Sequence, residues 1–132
     1  MRVLALDYGS ARCGCALSDP SGTIVTPIEV VRNPASRRGL AELSALVRER
    51  AVERVLVGLP LSLSGSDSAQ TREAREFAQR LERRLGGSVP VEMYDERFTT
   101  RLAQRVPGTP SSSEDSRAAA VLLEGWLAAR AR

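Results

Sequence analysis

An α/β fold, a mixed sheet of five strands flanked by helices, is predicted by three observations. Short apolar runs separated by turn residues fill the N-terminal part of the chain, helical periodicity sets in only at Ser36, and from there helices alternate with further short apolar runs. Antiparallel hairpins followed by helix-crossover strands make a mixed sheet. The chain has 132 residues, 42% of them apolar, which suits one domain with a single core and no need of disulfides or structural metal.

In order, Val3 to Tyr8 is a continuous apolar run, as in a strand covered on both faces, and Asp7-Tyr8-Gly9-Ser10 turns the chain. Arg12 to Ser18 is its hairpin partner. Asp19-Pro20-Ser21-Gly22 makes a second turn, and Ile24 to Val31 a third β-prone run in which Pro27 points to a bulge or an edge. From Ser36 to Arg50, Leu40, Leu43, Leu46 and Val47 recur at helical spacing. Arg54 to Gly58 is a short strand. Ala69 to Leu85 is a second amphipathic helix with Ala74, Phe77, Ala78, Leu81 and Leu85 on its apolar stripe, stopped by Gly86-Gly87. Val89 to Tyr94 supplies a fifth strand, a short helix is expected after Arg97, and Ala118 to Ala131 forms a final helix that packs through Ala119, Leu122, Leu123 and Trp126.

Composition narrows the chemistry. All 19 basic residues are arginine and histidine is absent. Without histidine there is no Ser-His or Cys-His nucleophile pair, so hydrolysis must rest on carboxylates, metals or both. The net charge of +3 permits an anionic partner without demanding one. No stretch approaches the roughly 20 apolar residues that cross a bilayer, so a soluble cytoplasmic protein without membrane association is expected. Cys13 and Cys15 lie two apart on one strand and read as small buried apolar residues, since side chains so placed do not form an unstrained bridge.

Three acids depart from the solvated surface pattern. Asp7 lies within the first apolar strand, Glu96 follows the last strand, and Asp115 opens the final helix. Each has an ordinary explanation: Asp7 capping the Gly9 turn and pairing with Arg12, Asp115 as a first-turn acid offsetting the helix dipole, Glu96 pairing with Arg97. Together, acids from two strand ends and one helix start can gather two hard cations. Two such ions about 4 Å apart activate a water and stabilise the leaving oxygen of a phosphodiester.

Four blocks carry a resemblance. Leu6 to Ala16, closed by Ser18-Asp19, is similar to a D-x-G-x-x-R-x-G-x-A strand pair; Val57-Gly58-Leu59-Pro60-Leu61 with Gly65 looks like a G-L-P loop. Asp95-Glu96-Arg97-Phe98-Thr99-Thr100 is similar to a D-E-R block, and Asp115 to Glu124 to a final helix. In this order and spacing the chain resembles the YqgF/RuvX family of pre-16S rRNA nucleases, also described as Holliday-junction-resolvase-like proteins. The resemblance implies an RNase H-like fold, a divalent cation (Mg²⁺ or Mn²⁺) and a role in maturing 16S rRNA. It carries the catalytic and metal-holding roles to Asp7, Glu96 and Asp115, and Arg12 and Arg97, nearest those acids, are expected to contact substrate phosphate. One departure is the short segment before Asp115, which holds only Arg105 where relatives commonly carry more basic residues.

Alternative functions are a Holliday-junction resolvase acting on DNA, a homodimer being open in either case, and a nucleic-acid-binding module that kept the fold without the chemistry. The opening hairpin also looks like the phosphate turn of the actin and sugar-kinase ATPases. Those enclose a nucleotide between two such domains, and a chain of this length holds one. The arginines and glutamates of the second helix read as a solvated, mutually paired face.

Overall fold

The computed structural model describes residues 1–60, 68–95 and 114–131. Five strands, β1 (Val3–Asp7), β2 (Arg12–Ser18), β3 (Val25–Arg32), β4 (Arg54–Leu59) and β5 (Val91–Asp95), form one sheet in the order β3-β2-β1-β4-β5. β1, β2 and β3 pair antiparallel, while β4 and β5 run parallel to β1. The helices are α1 (Arg37–Glu49), α2 (Ala69–Leu85) and α3 (Glu114–Arg130). This is the mixed five-stranded sheet with flanking helices that the sequence predicts.

The alternation of β1 sorts its side chains between the two faces. Leu4 and Leu6 join Cys13, Cys15, Val55 and Val57 beneath α1 and α2, where Leu40, Leu43, Val47, Phe77 and Leu81 close the core. Val3 and Ala5 join Ala16 and Leu56 beneath α3, which contributes Ala119, Ala120, Leu122, Leu123 and Trp126. By the same alternation Asp7 falls on the α3 side and Tyr8 on the α2 side.

Most element boundaries agree with the sequence expectation to within a residue or two, and the differences have physical causes. β5 begins at Val91 rather than Val89 because Pro90 has no N–H; its carbonyl instead accepts from Val55 N at 2.9 Å. Ile24 belongs to the preceding turn, its N–H donating to Asp19 Oδ1 at 2.9 Å. Ser36 is the N-cap of α1 and Gly86, at φ 67°, the left-handed C-cap of α2. α3 starts at Glu114, four residues before the Ala118 that helical spacing gives; its first turn takes in Asp115, expected to open the helix, and the fully buried Ser116. Leu85 is only half-buried, and the position that completes the stripe of α2 is Thr71. Thr71 forms a capping box with Ser68 and donates to the Pro60 carbonyl at 2.8 Å, tying the helix to the end of β4. The short helix expected after Arg97 lies outside the described residues.

β3 is an edge strand, and its ladder with β2 shifts register between Cys13 and Cys15, so Pro27 marks both an edge and a bulged strand. Cys13 and Cys15 are free and buried, as expected. The hydrogen bond with Cys15 and burial push the Cys13 thiol well above its ordinary value, which leaves it a packing group rather than a nucleophile.

Candidate active site

Parallel pairing fixes where the acids go. β1, β4 and β5 all end on one edge of the sheet, at Asp7, Leu59 and Asp95, with Leu59 paired to Asp95. β2, antiparallel, begins on that edge with Arg12 and sets Gly14 opposite Asp7.

Gly14 decides the position of the third element. A Cβ there would overlap the backbone carbonyl of Asp115, so only glycine lets the first turn of α3 rest on the strand. Ser116 pins the contact, its buried Oγ accepting from Cys15 N at 3.2 Å. Directly opposed residues on antiparallel strands lie about 5 Å apart, so seating Asp115 on Gly14 sets it beside Asp7. The two aspartates, 108 positions apart in the sequence (115 − 7), thus share one corner of the molecule.

Arg12 completes the corner. Its Nε lies 3.3 Å from Asp115 Oδ2, with 62% and 39% of the two side chains exposed. An ion pair so open to water is worth about 0 to 1 kcal/mol, weak enough for the guanidinium to leave for another anion. Asp115 also sits with Glu114 in the first turn of α3, where the helix dipole favours a carboxylate. Its ordinary role as a first-turn acid and its place beside Asp7 therefore coexist.

Glu96 and Arg97 lie outside the described residues; the strand that leads to them reaches the edge at Asp95. Among the described residues no three of His, Cys, Asp and Glu form a ready metal cage. The donors brought to the corner, Asp7 and Asp115, are carboxylates, the oxygen type that Mg²⁺ and Mn²⁺ prefer.

Three contributors escape a reading of the sequence alone. Gly14 is a position of the opening strand-pair motif, but the reason for a glycine there depends on a helix about a hundred residues away in the chain. Ser116 could have been found by helical spacing from Ala119 and Leu123, which put it on the buried stripe. Tyr8 stacks on Phe77, centroids 4.7 Å apart, and forms with Asp7, Gly9, Ser10, Pro60, Gln70 and Glu73 a cleft of about 400 Å³ beside the acids.

Residues 1–129 match the family described as RuvX, Holliday junction resolvase. The chain belongs to the RuvX family. As a RuvX member it is a nuclease, a hydrolase of phosphodiester bonds in nucleic acid. A protein of Anaeromyxobacter sp. (strain Fw109-5) named "Putative pre-16S rRNA nuclease" is 43% identical over 137 residues, covering 98% of each chain. One of the same name from Mycobacterium leprae (strain Br4923) is 41% identical over 96% of this chain and 72% of its own. Among solved structures, T. thermophilus RuvC in complex with Holliday junction substrate superposes with a TM-score of 0.66 at 17% identity, over 99% of this chain and 96% of that one. Fowlpox virus resolvase in complex with Holliday junction DNA gives a TM-score of 0.64 at 10% identity, over the whole of both chains. At such low identity these two speak to the fold, which is RNase H-like. Among the described residues no helix is long and apolar enough to cross a membrane.

Proposed function

We propose that this RuvX-family chain is a single-domain, divalent-metal-dependent nuclease of the cytoplasm that cuts RNA in the maturation of the 5′ end of 16S rRNA. Asp7, Glu96 and Asp115 are its catalytic acids. The observation that carries the proposal is the seating of Asp115 on Gly14, which gathers two far-separated aspartates at the edge where β5 ends with Asp95. The relatives' name supplies the RNA substrate.

The three acids would hold Mg²⁺ or Mn²⁺, which when bound supplies the positive charge that polarises the phosphodiester and activates a water. Asp7 is fixed by the strand ladder and Asp115 by the Ser116 anchor, so both carboxylates approach substrate without a costly reordering of backbone. Arg12, released from its exposed pair with Asp115, grips a substrate phosphate, and Arg97 serves as the second phosphate contact.

The test incubates the purified protein with single-stranded RNA and with a four-way DNA junction, in Mg²⁺, Mn²⁺ or chelator, at physiological salt. RNA cleavage that needs the metal and outpaces junction cleavage is the expected result. Paired symmetric nicks in the junction, faster than RNA cuts, would show a resolvase and argue for a dimer, which places two sites on opposing strands. Binding without cleavage of either substrate would mark a nucleic-acid-binding module.

A further inference from the structure

The cleft beside the acids has a composition that the hydrolytic chemistry does not use. Its described lining comprises Asp7, Tyr8, Gly9, Ser10, Pro60, Gln70 and Glu73, and its volume of about 400 Å³ is that of a small-ligand site. Asp7 and Glu73 are the charged residues of this described lining, so a phosphate entering it would meet like charge there. Arg12, at the same corner, is paired with Asp115. What fits is an uncharged, flat, hydrogen-bonding group adjoining the phosphate that the acids address.

We propose that this cleft is a base-reading subsite that receives a guanine next to the scissile phosphate, with Glu73 as the residue that selects it. The proposal rests on the nuclease reading above. Among the described residues Glu73 holds no ion pair, so its carboxylate is available to a ligand. A carboxylate only accepts, and its two oxygens match two parallel N–H donors. Guanine presents such a pair at N1 and N2 on its Watson–Crick edge. Adenine and cytosine offer one exocyclic amine beside an acceptor that the carboxylate would repel, and uracil offers a single N–H between two acceptors. Ser10 and the Gln70 amide bring donors for the guanine O6. The Tyr8 ring, backed on one face by Phe77, gives the cleft a stiff wall.

The experiment titrates ¹⁵N-labelled protein, without metal, with the four ribonucleoside 5′-monophosphates and with inorganic phosphate, following backbone amide shifts. The phosphate is common to all four nucleotides, so a difference between them reports the base. GMP should shift the amides of Gly9, Ser10 and Gln70 and bind about tenfold more tightly than the others, and Glu73→Gln should erase that preference while leaving the remaining spectrum in place. Equal affinities, the same shifts with inorganic phosphate, or a preference that survives Glu73→Gln would overturn the subsite. Cleavage-site mapping on RNA separates the two proposals. Cutting without preference for a neighbouring guanine sinks the subsite and leaves the nuclease, whereas GMP binding in the cleft without any cutting does the reverse.

Discussion

The two edges of the sheet treat their charged residues in opposite ways. Where the parallel strands begin, acids are distributed among donors. Glu92 accepts from Arg54 at 2.9 Å and from the Trp126 indole at 2.7 Å, Glu53 from the backbone of Arg2 at 2.8 Å, and Asp19 from Ser21, Thr23 and Ile24. Arg130 and Arg54 flank the Trp126 ring, 4.7 and 5.9 Å from its centre. Where the strands end, Gly14 brings Asp7 and Asp115 to one corner, Asp115 paired with Arg12. One edge uses its acids to hold the fold together, and on the proposed function the other gathers two of them for catalysis. A carboxylate lost from the first should therefore cost stability, and one lost from the second should cost activity.

The sharpest way to break this comparison is Asp7→Asn, which keeps the shape and removes the charge. Cleavage should fall by about a thousandfold or more, equivalent to about 4 kcal/mol of barrier, with the melting temperature within about 2 °C of the parent. Gly14→Ala bridges the two behaviours, since its Cβ displaces the start of α3. Both properties should suffer: about 3 kcal/mol of stability in a urea titration, and cleavage lost even at temperatures where the variant is folded. At the opposite edge, Glu92→Gln weakens the contacts with Arg54 and Trp126 but leaves the site alone. About 1 kcal/mol of stability, or roughly 4 °C of melting temperature, should disappear while kcat at 25 °C is unchanged, a modest figure because both partners are partly exposed.

The smallest effect is at Asp19, whose carboxyl the Ser21 hydroxyl and the Ile24 and Thr23 amides hold at about 2, below its ordinary 3.8. A depressed folded value means that the unfolded chain takes up the proton first as pH falls. The stability from this turn is present above about pH 4 and lost toward pH 2. Asp19→Asn should thus melt slightly below the parent at pH 6, with the gap closing by pH 2, and a gap that is constant with pH would show that Asp19 contributes only shape.

Much of this was legible in the chain because strand and helix periodicities are local. Leu4 and Leu6 alternate with Val3 and Ala5, and Phe77, Ala78 and Leu81 recur every three or four residues, so faces follow from spacing alone. Asp7 stood out for the same reason, as a charge in an apolar strand. What no local rule contains is the docking of α3: the clearance above Gly14 and the hydrogen bond that Ser116 accepts from Cys15 arise only when residues about a hundred positions apart meet. Boundaries failed where a neighbour's chemistry intervened, as at Pro90, whose missing N–H delays β5, and at Ile24, whose N–H serves Asp19. The roles of Glu96 and Arg97 rest on the family resemblance and on the direction in which β5 runs.

The bulged β3 also governs how copies of this protein behave when crowded. An outermost strand offers a row of backbone donors and acceptors onto which a neighbouring molecule can crystallise its own strand, the first step toward fibrous aggregates. Pro27 removes one donor from that row, the register shift near Cys15 breaks its straightness, and exposed Glu29 and Arg32 impose a charge at either side of the bend. On this reading the shape of the outermost strand keeps copies of the chain apart, and Pro27→Val is the substitution that should make preparations turn cloudy on standing.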